Sequence, residues 1–85
     1  MVKGQVVFSK RGRDKNKAFV VLEVADEYVF LADGQLRPLE RVKKKKVKHV
    51  QIVNTVLALP EGFTNADIRK WLLPYKEVSD WPRTT

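Results

Sequence analysis

Short runs of β-branched and aromatic residues, separated by polar turns, occupy the chain from residue 2 to residue 53. Such runs predict strands, because these side chains pack well on a pleated sheet. We expect the fourth of these strands, at residues 35–39, to stop near Pro38, since proline cannot donate a hydrogen bond to a ladder. Four or five short strands joined by tight turns are typical of a small all-β barrel. The predicted strands cover residues 2–8, 18–24, 28–32, 35–39 and 49–53.

Both faces of the predicted strand at residues 18–24 are mostly apolar. In a small antiparallel barrel this pattern favours a strongly bent central strand over an edge strand. A barrel of this size needs most of its large apolar side chains inside, so we assign Phe19 and Phe30 to the core. Phe8 and Tyr28 are left open between a core position and a contact with an unpaired base.

The chain changes character after residue 54. Residues 64–67 have the spacing of an N-terminal capping box, and one apolar stripe at helical spacing follows it, formed by Ile68, Trp71 and Leu72. We predict a helix over about residues 65–73, ended by Pro74, that covers an open end of the barrel. A protein-docking face around Trp71 and Trp81 is the alternative.

These patterns divide one small domain into three parts. The barrel occupies residues 1–54, the extension that carries the helix occupies residues 55–79, and a tail occupies residues 80–85. We expect the tail to fray unless Trp81 docks on the domain.

The composition of the 85 residues narrows the classes of function. A chain this short buries only about 60% of its unfolded surface, which leaves little room for an enclosed active site. The sequence has no cysteine and one histidine, which excludes disulfides, cysteine-ligated zinc and two-imidazole schemes. Residues 1–5 lack the apolar core typical of a signal peptide, and we expect no membrane span because no apolar run reaches about 18 residues. We expect a cytoplasmic protein, not an enzyme, with no metal, cofactor, membrane contact or small-molecule substrate.

The charge of the chain is unevenly distributed. The formal net charge is +7, and residues 1–50 hold 13 basic and 6 acidic residues, whereas residues 51–85 hold 4 of each. The whole excess therefore lies in the predicted barrel. Such asymmetry favours a surface that binds a polyanion.

Two basic segments and one histidine are the candidates for that surface. The first segment is a polar loop between the first two strands, with the cations Lys10, Arg11, Arg13, Lys15 and Lys17. Gly12 lets the main chain of this loop approach a phosphate closely. The second segment carries Arg37, Arg41, Lys43, Lys44, Lys45, Lys46 and Lys48. Self-repulsion favours an extended lysine run, and we predict that the run clamps phosphates without reading sequence.

His49 follows the second segment and can hydrogen-bond a phosphate or stack on a base; the alternative is a half-buried strand residue. For both segments the alternative is a solvated surface that only confers solubility. The acidic residues of the predicted turns have no spacing typical of a metal loop or a pair of catalytic carboxylates. These acids are Asp14, Asp26, Glu27 and Asp33.

Residues 4–7, 9–15, 19–21 and 32–34 together resemble a KOW motif. More closely, the chain resembles the short bacterial KOW-domain RNA-binding proteins, which are similar to the KOW-bearing large-subunit ribosomal proteins of archaea and eukaryotes. The resemblance continues through residues 43–49 and 64–70. It implies an SH3-like β-barrel that binds RNA, and ribosomal RNA in particular, through the loop from Lys10 to Lys17. Asn16 stands where a glycine is usual, and asparagine is the next most tolerant residue of left-handed geometry.

The resulting expectation is a mainly β, SH3-like barrel of the KOW type with one short C-terminal helix, acting as a non-catalytic RNA-binding module. Ribosomal RNA is the expected partner, and ribosomal proteins are further candidates. Both basic segments should lie on a common side of the barrel. Three alternatives remain open: an SH3-like protein-interaction module, a DNA-binding or chromatin-associated barrel, and an accessory subunit that brings an enzyme to RNA.

Overall fold

The computed structural model describes residues 1–78, and their side chains up to residue 75. In this part of the chain five antiparallel strands form one sheet in the order β4-β3-β2-β1-β5. The sheet is not closed, and the architecture is that of a small SH3-like barrel. The predicted tail and Trp81 lie outside the described residues. The elements are β1 (Gln5–Ser9), β2 (Ala18–Ala25), β3 (Tyr28–Ala32), β4 (Lys43–Lys46), β5 (Val50–Val56) and α1 (Asn65–Val78).

The sheet curves because two of its ladders shift register. The shift between β2 and β3 falls at Val21/Glu23, which fits the prediction of a bent central strand. The shift between β1 and β5 falls between Gln5 and Val7. There the Gln5 side-chain amide donates hydrogen bonds to the carbonyl oxygens of Val53 and Thr55, at 2.6 and 3.2 Å. This buried amide satisfies carbonyl groups near the irregular part of the ladder.

Apolar side chains pack on both faces of the sheet, which explains why β2 is apolar on both sides. One face forms a core of buried residues: Val7, Phe19, Val21, Val29, Leu31 and Val50. The opposite face forms the helix-side core: Val6, Ala18, Val20, Ala32, Ile68 and Leu72. The helix therefore covers a face of the sheet, and the expectation that it closes an open end of the barrel is wrong. Trp71 is half-buried against the helix-side core, 5.8 Å from the Phe63 ring between centroids.

The predicted capping box is present at the start of α1. The backbone N–H of Thr64 donates to Asp67 Oδ2 at 2.9 Å, and the N–H of Asp67 donates to Thr64 Oγ1 at 3.3 Å. The predicted end at residue 73 is wrong, because α1 continues through Pro74. Proline removes one helical hydrogen bond. Packing of the next residue opposes that loss, since the Tyr75 ring lies 6.5 Å from the Phe8 ring.

The fourth strand is not where the pattern predicts it. Residues 35–39 do not form a strand, because Asp33 Oδ1 accepts hydrogen bonds from the N–H groups of Gln35 and Arg37, each at 2.8 Å. These bonds fold the segment into a turn. The strand that pairs with β3 is instead the lysine run Lys43–Lys46.

Smaller differences concern the ends of strands. β1 begins at Gln5 rather than at residue 2, after a turn in which Gly4 has φ +91°. β5 runs over Val50–Val56, later than the predicted 49–53, and one-turn 3₁₀ helices precede β4 and β5 at Leu39–Arg41 and Val47–His49. Within residues 1–78 there is no helix with the length and apolar character needed to cross a membrane.

Candidate nucleic-acid interface

The loop between β1 and β2, residues 10–17, has a defined backbone conformation. Ser9 N–H donates to Lys17 O at 3.0 Å, and Asn16 N–H donates to Ser9 O at 2.8 Å. Gly12 and Asn16 both have left-handed geometry, with φ of +86° and +71°. Asparagine therefore adopts the turn that its tolerance of positive φ allows. The five cations of the loop are all exposed: Lys10, Arg11, Arg13, Lys15 and Lys17.

The two basic segments meet at Asp14. Lys45 Nζ of β4 lies 2.9 Å from Asp14 Oδ1 and donates to the carbonyl oxygen of Arg11 at 2.8 Å. Lys43 Nζ lies 3.8 Å from the other carboxylate oxygen. Ser9 Oγ is 2.7 Å from Asp14 Oδ1. This group, Ser9, Asp14 and Lys45, is called the Asp14 bridge below, and it fixes the loop against β4.

The Asp14 bridge corrects the prediction of a uniform phosphate clamp over residues 43–46. Lys45 is only 9% exposed, and its ammonium group is occupied by the loop. The reason is the period of a strand, which sends alternate side chains to opposite faces. Lys43 and Lys45 share a face with Leu31 and Val29, whereas Lys44 and Lys46 point to the other side.

Asp14 is held in its charged form. Burial by itself raises the pKa of this carboxyl group, but hydrogen bonds from Lys45 and Ser9 and the charges of Lys45 and Lys43 outweigh burial. The pKa is therefore lowered below the ordinary value of 3.8. The sequence alone presents Asp14 as an ordinary turn residue, and no local signal distinguishes it, because its partner lies in a distant strand.

Two basic depressions flank the loop. The first, called the His49 depression, lies where the loop meets the 3₁₀ turn before β5 and is lined by Lys10, Arg11, Lys48 and His49. The contact between these segments is direct, because Lys10 N–H donates to His49 O at 2.8 Å. The second depression lies toward the segment that precedes β4 and contains Arg13, Lys17, Arg37, Arg41 and Lys43, together with Asp14, Asp33, Phe19 and Leu36.

The positive field of the His49 depression acts on its imidazole. The pKa of His49 is lowered from its usual 6.5, first by loss of hydration and then by the nearby charges of Arg11, Lys48, Lys46 and Lys45. The unbound site therefore disfavours an additional positive charge. A phosphate placed there would reverse that effect by supplying a negative charge.

Most cations of this surface have no acidic partner among the described side chains. Both ion pairs found there involve Asp14, and they hold Lys43 and Lys45. Arg37 and Lys46 are half-buried, and the other candidates are exposed: Arg41, Lys44, Lys48 and the five loop cations. Such a set of uncompensated charges attracts an anion more strongly than a surface of mixed ion pairs.

The burial of the aromatic residues differs in part from the prediction. Phe19 is buried, as expected, and Phe8 is half-buried against Tyr75. The assignment of Phe30 to the core is wrong, because this residue is only half-buried and belongs to neither core. It shares a face with Tyr28, whose ring centroid lies 4.4 Å from Lys44 Nζ.

Within the described residues no group of three or more histidine, aspartate or glutamate side chains could hold a metal ion. No family model matches the chain, and no curated protein matches it.

Proposed function

We propose that this chain is a non-catalytic RNA-binding module that contacts phosphates with the β1–β2 loop and the His49 depression. The observation that carries the proposal is the arrangement of Lys10, Arg11, Lys48 and His49 around one depression, without an acidic partner among the described side chains. Cations gathered from two chain segments match the repeated charges of a nucleic-acid backbone.

The Asp14 bridge supports this reading because it orders the loop before any ligand arrives. A long basic loop would lose conformational entropy on binding if it were free in solution. Here the carbonyl of Arg11 is already bonded to Lys45, and Asp14 neutralises only the two lysines beside it. The remaining loop cations are thus presented at a defined place.

The preference for RNA rests on the resemblance of residues 4–34 to a KOW motif. Ribosomal RNA, with ribosomal proteins as neighbours, is the specific partner that this resemblance implies. Lysine and arginine on an open surface favour contacts with phosphate and shape, since the base edges of an A-form helix lie in a groove that side chains do not read. The experiment therefore compares RNA with DNA.

The test measures the affinity of the purified chain for a labelled ribosomal RNA hairpin and for a DNA hairpin of matched sequence, at several salt concentrations. The variant Lys10→Ala/Lys48→Ala removes two charges from the His49 depression. The control Lys3→Ala/Lys70→Ala removes two exposed charges elsewhere. Lys3 precedes β1, whereas the loop follows it.

We expect the depression variant to bind RNA more weakly and to flatten the plot of log affinity against log salt. The slope should fall by about 0.7 to 0.9 for each phosphate that the variant no longer neutralises. The control should keep the slope of the unaltered chain. Equal effects of both variants would contradict the site, and equal affinity for the two hairpins would contradict the preference for RNA. Crosslinking in cells, followed by sequencing of the attached RNA, tests for a discrete ribosomal RNA site.

A further inference from the structure

The outer face of the β3–β4 hairpin carries two aromatic rings and two lysines. Tyr28 is paired with Lys46 and Phe30 with Lys44, and directly paired residues of antiparallel strands share a face. The next residue of β3 on this face, Ala32, is buried beneath α1 in the helix-side core. Tyr28 and Phe30 lie earlier in β3 than Ala32, are outside both cores and remain half-exposed.

This combination suits an unpaired base better than an apolar partner. Aromatic rings on a sheet offer a flat surface for stacking, and neighbouring lysines neutralise the phosphates on either side of the base. Glu23 of β2 is paired with Phe30 and lies on the same side of the sheet. It forms no ion pair with Lys44, so the charge of this lysine is not cancelled.

The hairpin face adjoins the His49 depression through a shallow hollow, which is lined by Lys46 and Lys48 together with Val47 and the acidic residues Asp26 and Glu27. Lys46 lies on the aromatic face, yet it is close enough to His49 for its charge to lower the pKa of the imidazole. Lys48, two residues later, lines the depression itself. A nucleic-acid strand held by the depression can therefore extend over Lys46 to the two rings.

We propose that Tyr28 and Phe30 form a stacking platform for an unpaired nucleotide of the RNA bound at the His49 depression. This inference rests on the proposed function and adds to it a ligand class, a structured RNA with a single-stranded segment beside its helix. Lys44 now lies over the Tyr28 ring and would exchange that ring for the phosphate of the stacked nucleotide.

The energetic comparison favours this exchange. An exposed cation–π contact corresponds to about two- to fivefold in an equilibrium. A base stacked on an aromatic side chain corresponds to about 5- to 150-fold in affinity. The lysine also keeps a favourable partner after it moves, because it gains a phosphate.

The test uses the full chain and two RNA hairpins that share one stem, one blunt and one with a four-nucleotide single-stranded 3′ extension. A fluorescent adenine analogue in the extension reports stacking directly. The variants are Tyr28→Leu, Phe30→Leu and Tyr28→Phe, and urea unfolding shows whether each is folded. Because neither ring belongs to a core, we expect all three to fold.

We expect Tyr28→Leu and Phe30→Leu each to weaken binding of the extended hairpin by about 5- to 150-fold and to leave the blunt hairpin unchanged. Tyr28→Phe should bind like the unaltered chain, since it keeps the ring. Quenching of the adenine analogue should disappear with the leucine variants. Equal losses for both hairpins, or no loss for either, would overturn the platform while leaving RNA binding intact. Failure of the unaltered chain to bind either hairpin would overturn the proposed function and the platform with it.

Discussion

Lys45 and Asp14 are 31 positions apart in the sequence, and their charged groups meet at 2.9 Å. The contact joins a strand at one side of the sheet to the loop that carries five exposed cations. Because Lys45 is 9% exposed, the pair lies largely away from water, where an unmatched charge is costly. The same bond thus contributes to stability and to the shape of the candidate interface.

Replacing Lys45 with methionine should destabilise the fold by roughly 3 kcal/mol, because Asp14 is left without its closest cation. The matched control is Lys44→Met, on the preceding residue of the same strand, where the change removes only an exposed cation–π interaction of about 0.5–1 kcal/mol. Urea unfolding at neutral pH measures both. Equal losses from the two variants would show that the Asp14 bridge does not stabilise the fold.

The stability of the fold should depend on pH through the ionisation of Asp14. Its pKa is lowered in the folded state, so the stabilisation it provides is present above the ordinary value of 3.8 and is lost as the pH falls below 3.8 through the folded pKa. The variant Asp14→Asn should be less stable than the unaltered chain at neutral pH, and the difference should shrink in acid. Unfolding curves between pH 7 and pH 3 measure this difference. A difference that is constant over that range would contradict the ionised bridge.

Binding of RNA should be linked to protonation of His49. The surrounding cations and loss of hydration lower the pKa of His49 in the unbound chain, and bound phosphate should raise it. Affinity should therefore increase as the pH falls through the region of the usual value, 6.5. The gain is about tenfold for each unit by which binding raises the pKa.

Anisotropy measurements between pH 8 and pH 5.5 test this link, with His49→Gln as the variant that should bind without pH dependence. Nuclear magnetic resonance gives the imidazole pKa with and without RNA. An unchanged imidazole pKa would place the phosphates away from the His49 depression.

Gly34 should tolerate no side chain. Its φ is +80°, and an added Cβ would collide with the backbone oxygen of Asn65 at the start of α1. Gly62 has the same φ but open space around it. Gly62→Ala should cost about 1–2 kcal/mol from left-handed geometry alone.

Gly34→Ala should lower the free energy of unfolding by about 1–3 kcal/mol more than Gly62→Ala does, because the helix must move. Thermal unfolding of both variants provides the comparison. Similar losses would mean that α1 does not pack tightly on this turn.

Much of the sheet could be predicted from local pattern. β2 and β3 are rich in valine and aromatic residues, which agrees with strand propensity, and the capping box before α1 is a local signal. The lysine run could not be assigned in this way, since lysine is a poor strand former. Its strand depends on pairing with β3 and on the burial of Lys45 beside Asp14, and both are tertiary effects.

The candidate site was predictable in composition but not in arrangement. Charge alone indicated the two segments. The Asp14 bridge brings Lys43 and Lys45 to the loop, whereas Lys44 and Lys46 point to the other side of the sheet. The division of the lysine run into alternating faces follows only once the run is known to be a strand. Phe30 is half-exposed because α1 covers Ala32 on this face of β3 but not Phe30.

The position of β4 at one side of the sheet order has a consequence for contacts between copies of the chain. A strand in this position offers backbone groups to which another strand can add, and such addition is a common route to aggregation. Here an approaching copy would bring its Lys44 and Lys46 ammonium groups against those of the first copy, because Lys43 and Lys45 are engaged by Asp14. The resulting repulsion discourages self-association at low ionic strength, so the same lysines that suit a polyanion also keep neighbouring molecules apart.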